Sequence, residues 1–219
     1  MLTLVLTRHG HTERSDPEQY LGRRIDVPLD QLGRSAALAL RQRLEGVSFQ
    51  RVIASPLQRA VETARLARPG EAVETDSRIA EADYGEWEGH TIEQIEERWP
   101  DIRRRWEADP GSLAMPGGES GRDIALRAGS FIDDLIAWEA GLGAAADDHR
   151  VLVVAHSTLN RVLLCVCLDV RLRDFRRRFR QDWANLTVLR FGGEVRARAL
   201  ALVVNDVDHV RGDHGITWD

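Results

Sequence analysis

Arginines and histidines that could bind and transfer a phosphoryl group stand just after apolar runs at three widely separated points of this chain. Residues 2–7, LTLVLT, lead into Arg8-His9-Gly10 within the stretch LTRHGHTERS. RVIA at 51–54 leads into Ser55-Pro56 with Arg59 close behind, and VLVVA at 151–155 leads into His156-Ser157. A planar guanidinium offers a phosphate two parallel N–H donors. One such charge pair at about 4 Å is worth roughly 4 kcal/mol at an effective dielectric near 20, before desolvation is subtracted. An imidazole with an unperturbed pKa of about 6.5 is largely neutral at pH 7, so a histidine of this set can attack phosphorus and carry the group. Arg8, Arg59 and a cationic histidine would then neutralise the equatorial oxygens, with no need for a metal. Taken singly, each residue has an ordinary explanation: a strand-end histidine is a polar residue meeting solvent, and an arginine in a first helical turn is a surface group. The joint placement carries the reading.

That placement needs a scaffold that brings three strand ends together. Apolar runs of strand character alternate with helical patterns, which predicts a mostly parallel sheet covered by helices, whose ligands bind beyond the carboxyl ends of the strands. Strands are expected at 2–7, 51–54, 72–75 and 151–155. Leu32, Ala36, Ala39, Leu40 and Leu44 mark a helix within 30–46 that Gly46 stops, and PLQRAVETARLA reads as a helix with Pro56 at its first position. Thr91 with Gln94 forms a capping box for a helix that closes before Pro100. Ser120 caps a long helix with Ile124, Ala128, Phe131, Leu135 and Trp138 inward. GLGAAADD reads as a linker, TLNRVLLCVCL as an apolar helix and LRDFRRRFRQDW as a basic amphipathic helix. NLTVLRF and EVRARALALVV are expected to pair antiparallel around Gly192 and Gly193, and the last fifteen residues to be loosely held.

At 219 residues and 43% hydrophobic composition the chain can bury the core of a single domain. Its formal charge of -5 argues against a nucleic-acid partner, although all 30 of its lysine-plus-arginine residues are arginines. No run approaches a membrane span and no secretory leader is read at the N-terminus, so a cytoplasmic location is expected. Cys165 and Cys167 read as buried thiols in a reducing compartment.

The ordered blocks of this sequence resemble the histidine phosphatase superfamily, which includes cofactor-dependent phosphoglycerate mutases and many small phosphatases. They are Arg8-His9-Gly10 with Thr12, GRRIDVPLDQLGRSAA at 22–37, SPLQRAVETA at 55–64, IAEADYGEWEG at 79–89, PGGES at 116–120, VLVVAHS at 151–157 and NLTVLRF at 185–191. The resemblance implies an α/β fold, a three-layer α/β/α sandwich with a central mostly parallel sheet, phosphoglycerate mutase-like. It implies one domain over 1–219 with a helical lobe inserted at about 84–118. By the same resemblance His9 accepts the phosphoryl group, Arg8, Arg59 and His156 hold it, and Glu81 gives a proton to the leaving oxygen and takes one from the attacking water. Phosphate binding is expected from Arg8, Ser15, Gly22, Arg59, His156 and Ser157. Ser15 stands where many members carry asparagine, so its contact is expected to run through water, and His11 is placed at the rim.

Mutases of this family are usually longer, with a tail and insertion that shield the phosphoenzyme. The segment between Glu81 and PGGES is only about 35 residues here, which favours hydrolysis of a small phosphorylated metabolite without cofactor or metal. The alternatives are a cofactor-dependent phosphoglycerate mutase, which would take 2,3-bisphosphoglycerate, and a non-catalytic phosphate-binding protein of the same fold. Trp87, Trp99 and Trp106, or the arginines at 173–180, are candidates for the leaving-group side; Arg176, Arg177, Arg178 and Arg180 are read first as a solvated face. No membrane partner is expected, and a homodimer is left open.

Overall fold

β1 (Leu2–Arg8) is buried at every residue, as a strand covered on both faces must be. The computed structural model describes residues 1–142, 148–192 and 199–211. Around β1 lie β2 (Arg51–Ala54), β3 (Val73–Thr75), β4 (His149–Ala155), β5 (Leu186–Phe191) and β6 (Leu200–Asp206), in the order β3-β2-β4-β1-β5-β6. The first four of these are mutually parallel, while β5 and β6 add an antiparallel edge.

Two hydrophobic clusters cover the sheet. On one face Val5, Val52, Ala54, Leu152 and Val154 meet α1 (Gln31–Arg43) and α2 (Gln58–Ala67) through Leu40, Ala60, Ala64 and Ala67. On the other, Leu4, Leu6, Val151 and Val153 meet α5 (Gly121–Gly141) and α6 (Ser157–Leu168). The three layers follow from strands apolar on both sides and helices apolar on one. Between α2 and α5 the chain forms α3 (Ile92–Arg98) and α4 (Pro100–Ala108), whose Ile95 and Trp106 join the second cluster. Helix starts obey the predicted chemistry: the Thr91–Gln94 and Ser120–Asp123 capping boxes are both complete.

The structure also corrects several expectations. Leu32 points outward at 66% exposed, and Gly33 and Ala37 are the buried α1 positions beside Ala36 and Leu40. Pro56 precedes α2, which starts at Gln58 after Leu57. The basic amphipathic helix is only a short 3₁₀ turn and α7 (Phe175–Arg178), because Phe179 turns extended at φ -128, ψ 128. β5 and β6 pair antiparallel as predicted; the turn at Gly193, most of the linker and the final eight residues lie outside the described residues. The chain closes its described part with α8 (Asp208–Arg211). Among the described residues no helix is long and apolar enough to cross a membrane.

One close approach locks α1 onto the end of β1. A Cβ added at Gly10 would stand 2.6 Å from the Gly33 carbonyl oxygen, and one added at Gly33 would stand 2.1 Å from that of His11. Alanine is favoured over glycine in a helix by about 1 kcal/mol. Gly33→Ala should nevertheless destabilise the fold by about 2 kcal/mol, because backbone must move to admit the methyl group. Chemical denaturation measures this, and an unchanged or raised midpoint would show that the contact yields freely.

Candidate active site

Strand register dictates which side chains meet. Arg8 pairs across β1 and β4 with Ala155, so the next residues, His9 and His156, emerge side by side; the His9 amide donates to the Ala155 carbonyl at 3.0 Å. Their ring centroids are 5.1 Å apart. Ala54 of β2 pairs with Val154 of β4, which brings Ser55 to the same level, and Ser55 Oγ lies 2.7 Å from His156 Nε2. Arg59, in the first turn of α2, is 1% exposed.

A cavity of about 420 Å³ opens over these strand ends, lined in part by Arg8, His9, Ser15, Arg59, Glu81 and Ser157. His9 Nδ1 is 2.7 Å from the Gly10 carbonyl oxygen. A carbonyl only accepts, so Nδ1 carries the proton and the lone pair of the neutral ring sits on Nε2. Arg8 donates from Nη1 to the Gln181 carbonyl at 3.0 Å and from Nη2 to Glu18 at 2.6 Å, with its guanidinium 4.8 Å from the Trp183 ring centroid. Arg59 donates to the carbonyls of Leu21, Gly22 and Ile25 at 2.8, 2.9 and 3.1 Å. These bonds leave one nitrogen on each side chain unused: Arg8 Nε, Arg59 Nε and His156 Nδ1 are buried with no hydrogen-bond partner among the described residues. Buried donors are nearly always satisfied; Arg8 and Arg59 line the cavity, while His156 is not among its lining residues and packs against the His9 ring, and an anion's oxygens are what such orphaned donors would take.

Glu81 sits 5% exposed at the amino end of α6. Its carboxylate accepts from the backbone N–H groups of Ala82 at 2.8 Å, Leu159 at 3.1 Å and Thr158 at 3.2 Å. The α6 terminus thus anchors this carboxylate, and Ser157 remains on the cavity wall.

Other expected residues are placed differently. Gly22 does not line the cavity: its carbonyl anchors Arg59, and a Cβ there would fall 2.0 Å from Glu88 Oε1. Ser15 lines the cavity, but its hydroxyl accepts from the Thr12 N–H at 3.0 Å. His11 faces away, 2.5 Å from Asp30, whose other oxygen caps α1 at Gly33. Two tryptophans of the lobe are core, Trp87 and Trp106 at 0% and 1% exposed and packed edge to face, while Trp99 is half-buried against the His90 ring and does not line the cavity. Arg176, read first as solvated, lines the cavity with its guanidinium 5.2 Å from the Trp106 ring centroid, whereas Arg177 and Arg178 are exposed. Sequence reasoning missed Tyr20, Tyr84, Arg161 and Trp183 on the cavity wall. Arg161 was within reach, since it lies one turn after Ser157 on the same face of α6.

His156 also departs from the expected cation. Burial, then the Arg59 guanidinium, then His9 push its pKa well below the 6.5 of a free imidazole, and burial, Arg59 and Arg8 do the same to His9. Both rings are therefore neutral at pH 7. The unfolded chain protonates them near pH 6.5 while the folded one does not, so stability falls as pH drops below about 6.5. With two such groups the slope is about 2–3 kcal/mol per pH unit until the folded pKa values are reached. His209, also lowered chiefly by burial, adds to it. Urea midpoints at pH 7.0, 6.0 and 5.5 should fall steadily, and a flat profile would show that one or both rings are charged in the fold.

The sequence profile of the histidine phosphatase superfamily (branch 1) matches residues 4–203. The chain belongs to that superfamily. Among the relatives of this chain, a bifunctional protein of Mycobacterium tuberculosis is 37% identical over 172 residues, 76% of this chain but 44% of that protein. The chain thus spans less than half the length of that relative. A glucosyl-3-phosphoglycerate phosphatase of Mycolicibacterium vanbaalenii is 34% identical over 76% of this chain and 74% of its own length. A solved mycobacterial glucosyl-3-phosphoglycerate phosphatase in complex with inorganic phosphate superposes with a TM-score of 0.82 at 31% identity, over 94% of this chain and 98% of that one. The three-layer sandwich with its mostly parallel sheet is the fold of this family.

Proposed function

We propose that this chain is a phosphatase that hydrolyses the monoester of a small phosphorylated metabolite through a phosphohistidine on His9. The observation that carries the reading is the trio of unpartnered buried nitrogens, Arg8 Nε, Arg59 Nε and His156 Nδ1, around a histidine whose Nε2 is left with its lone pair. The similarity to phosphatases named for glucosyl-3-phosphoglycerate and, in Hydrogenobacter thermophilus, for phosphoserine supports it.

In the first step Nε2 of His9 attacks phosphorus; the P–N bond forms as the bond to the ester oxygen breaks, and Glu81 passes a proton to that leaving oxygen. In the second, water attacks phosphorus, its proton goes to Glu81, and the P–N bond breaks to return neutral His9. Ser55 Oγ lies 2.7 Å from His156 Nε2; with the hydroxyl as the donor, the ring proton sits on Nδ1, free to be given to a phosphoryl oxygen. Positive charge for those oxygens comes from Arg8 and Arg59; among the described residues no group of three or more His, Cys, Asp or Glu side chains is placed to hold a metal. The reaction belongs in the cytoplasm, a reading supported by Cys165 being a buried thiol.

Phosphate release from a panel of phosphomonoesters, run beside isomerisation of 3-phosphoglycerate with 2,3-bisphosphoglycerate, tests the activity. Hydrolysis should dominate. Faster isomerisation would make the chain a mutase, and no release from any ester would end the phosphatase reading.

A further inference from the structure

The cavity continues past the phosphate-holding nitrogens to a wall built from Arg161, Arg176, Tyr20 and Tyr84. Most cations of this wall are already matched. Arg8 pairs with Glu18 at 2.6 Å, Arg180 with Asp182 at 2.8 Å, Arg176 with Glu107 at 3.4 Å, and Arg59 lies 3.8 Å from Asp26. Arg161 is not matched. It makes no ion pair or hydrogen bond among the described residues, and its Nε is buried without a partner. Burial disfavours its charge most, Arg176 and then Arg8 repel it, and Glu81 attracts it more weakly than either repels. An uncompensated guanidinium in such surroundings costs stability, so the fold holds it there at a loss unless an anion arrives.

Arg176 is fixed beside it by elements the phosphoryl step does not need. Glu107 of α4 takes its Nε, and the Trp106 face lies 5.2 Å below the guanidinium. Trp106 itself is locked by Trp87 and Phe175 at 5.2 and 6.4 Å between ring centroids. The inserted helices therefore serve to position a cation in the cavity.

We propose that Arg161, with Arg176 beside it, forms a second anion subsite that binds a carboxylate on the leaving group, so that the substrates are phosphomonoesters of carboxylic acids. This rests on the phosphatase reading. A carboxylate matches a guanidinium fork as phosphate does, and bringing one to Arg161 satisfies both the unpaired charge and the orphaned donor.

The test uses two pairs of esters that differ by a carboxylate: 3-phosphoglycerate against glycerol 3-phosphate, and O-phosphoserine against O-phosphoethanolamine. In at least one pair the wild type should prefer the acid by tenfold or more in kcat/KM. Arg161→Met should bring that ratio to within about threefold of one, and Arg161→Lys should restore part of it. Arg161→Met should also raise the thermal midpoint of the ligand-free protein, whereas loss of a merely structural arginine lowers it. No preference in either pair, equal losses on acid and alcohol, or a lowered midpoint would overturn the subsite. Titration calorimetry with His9→Gln separates the two readings. Tight binding of the acids by this variant, together with a wild type that never releases phosphate, sinks the phosphatase while keeping the subsite, and equal binding of acid and alcohol sinks the subsite alone.

Discussion

His9→Gln lowers kcat/KM by on the order of 10⁴-fold or more, equivalent to about 5 kcal/mol of transition-state stabilisation, on every phosphomonoester the wild type accepts. Glutamine retains polarity and fits the space, yet it has no lone pair able to form a phosphoryl bond of comparable reactivity. Its amide can still donate to the Gly10 carbonyl that the imidazole contacts at 2.7 Å, so the surrounding backbone should hold. The variant should fold with its denaturation midpoint near that of the wild type or above it, because a buried ring beside two guanidinium groups is replaced by a neutral side chain. Steady-state kinetics with purified protein checks the loss, and a fall of less than 100-fold would mean that water attacks the ester directly.

Arg59→Ala has the second largest effect, and it acts in two ways. The side chain spans from the 21–25 loop to the cavity, donating to three carbonyls of that loop while keeping Nε for the anion. Losing one preorganised donor to a developing oxyanion costs on the order of 10²–10³-fold in rate. Orphaning the carbonyls of Leu21 and Gly22 costs about 1–3 kcal/mol of stability, partly offset by removal of a buried charge. Arg59→Lys separates the two. It retains a cation but lacks the fork, so it should recover less than a tenth of the rate while recovering some stability, as read from kcat/KM and urea midpoints together. Full recovery of rate by lysine would show that charge alone, rather than the geometry of the fork, binds the phosphate.

The cluster proposed to hold phosphate was legible because its residues follow strands. His9, Ser55 and His156 each occupy the first position past a strand, and in a parallel sheet with matched register such positions must converge. The α/β/α layering followed from the same alternation. The leaving-group wall was much less legible, since it is made by contacts between elements rather than by one element's end. Trp87 and Trp106 have the composition of a ligand platform, but each buries its ring on the other, and only the packed structure shows that their product is the placement of Arg176. Arg176 sits in a string of arginines whose members look alike in sequence; on α7 the half-buried one is Arg176, next to the buried Phe175, while Arg177 and Arg178 are exposed. Gly22 misled for a related reason. Its neighbourhood serves the phosphate site through Arg59, which its carbonyl holds at 2.9 Å, and not by lining the cavity.

The central claim is that phosphoryl transfer passes through a covalent bond to His9 Nε2. Brief exposure of the wild type to a labelled phosphomonoester, quenched in denaturant, tests it most directly. The account predicts a label that acid removes and base does not, that maps to the peptide containing Arg8-His9-Gly10, and that is absent from His9→Gln. A label stable to acid, or one of equal yield in His9→Gln, would contradict it.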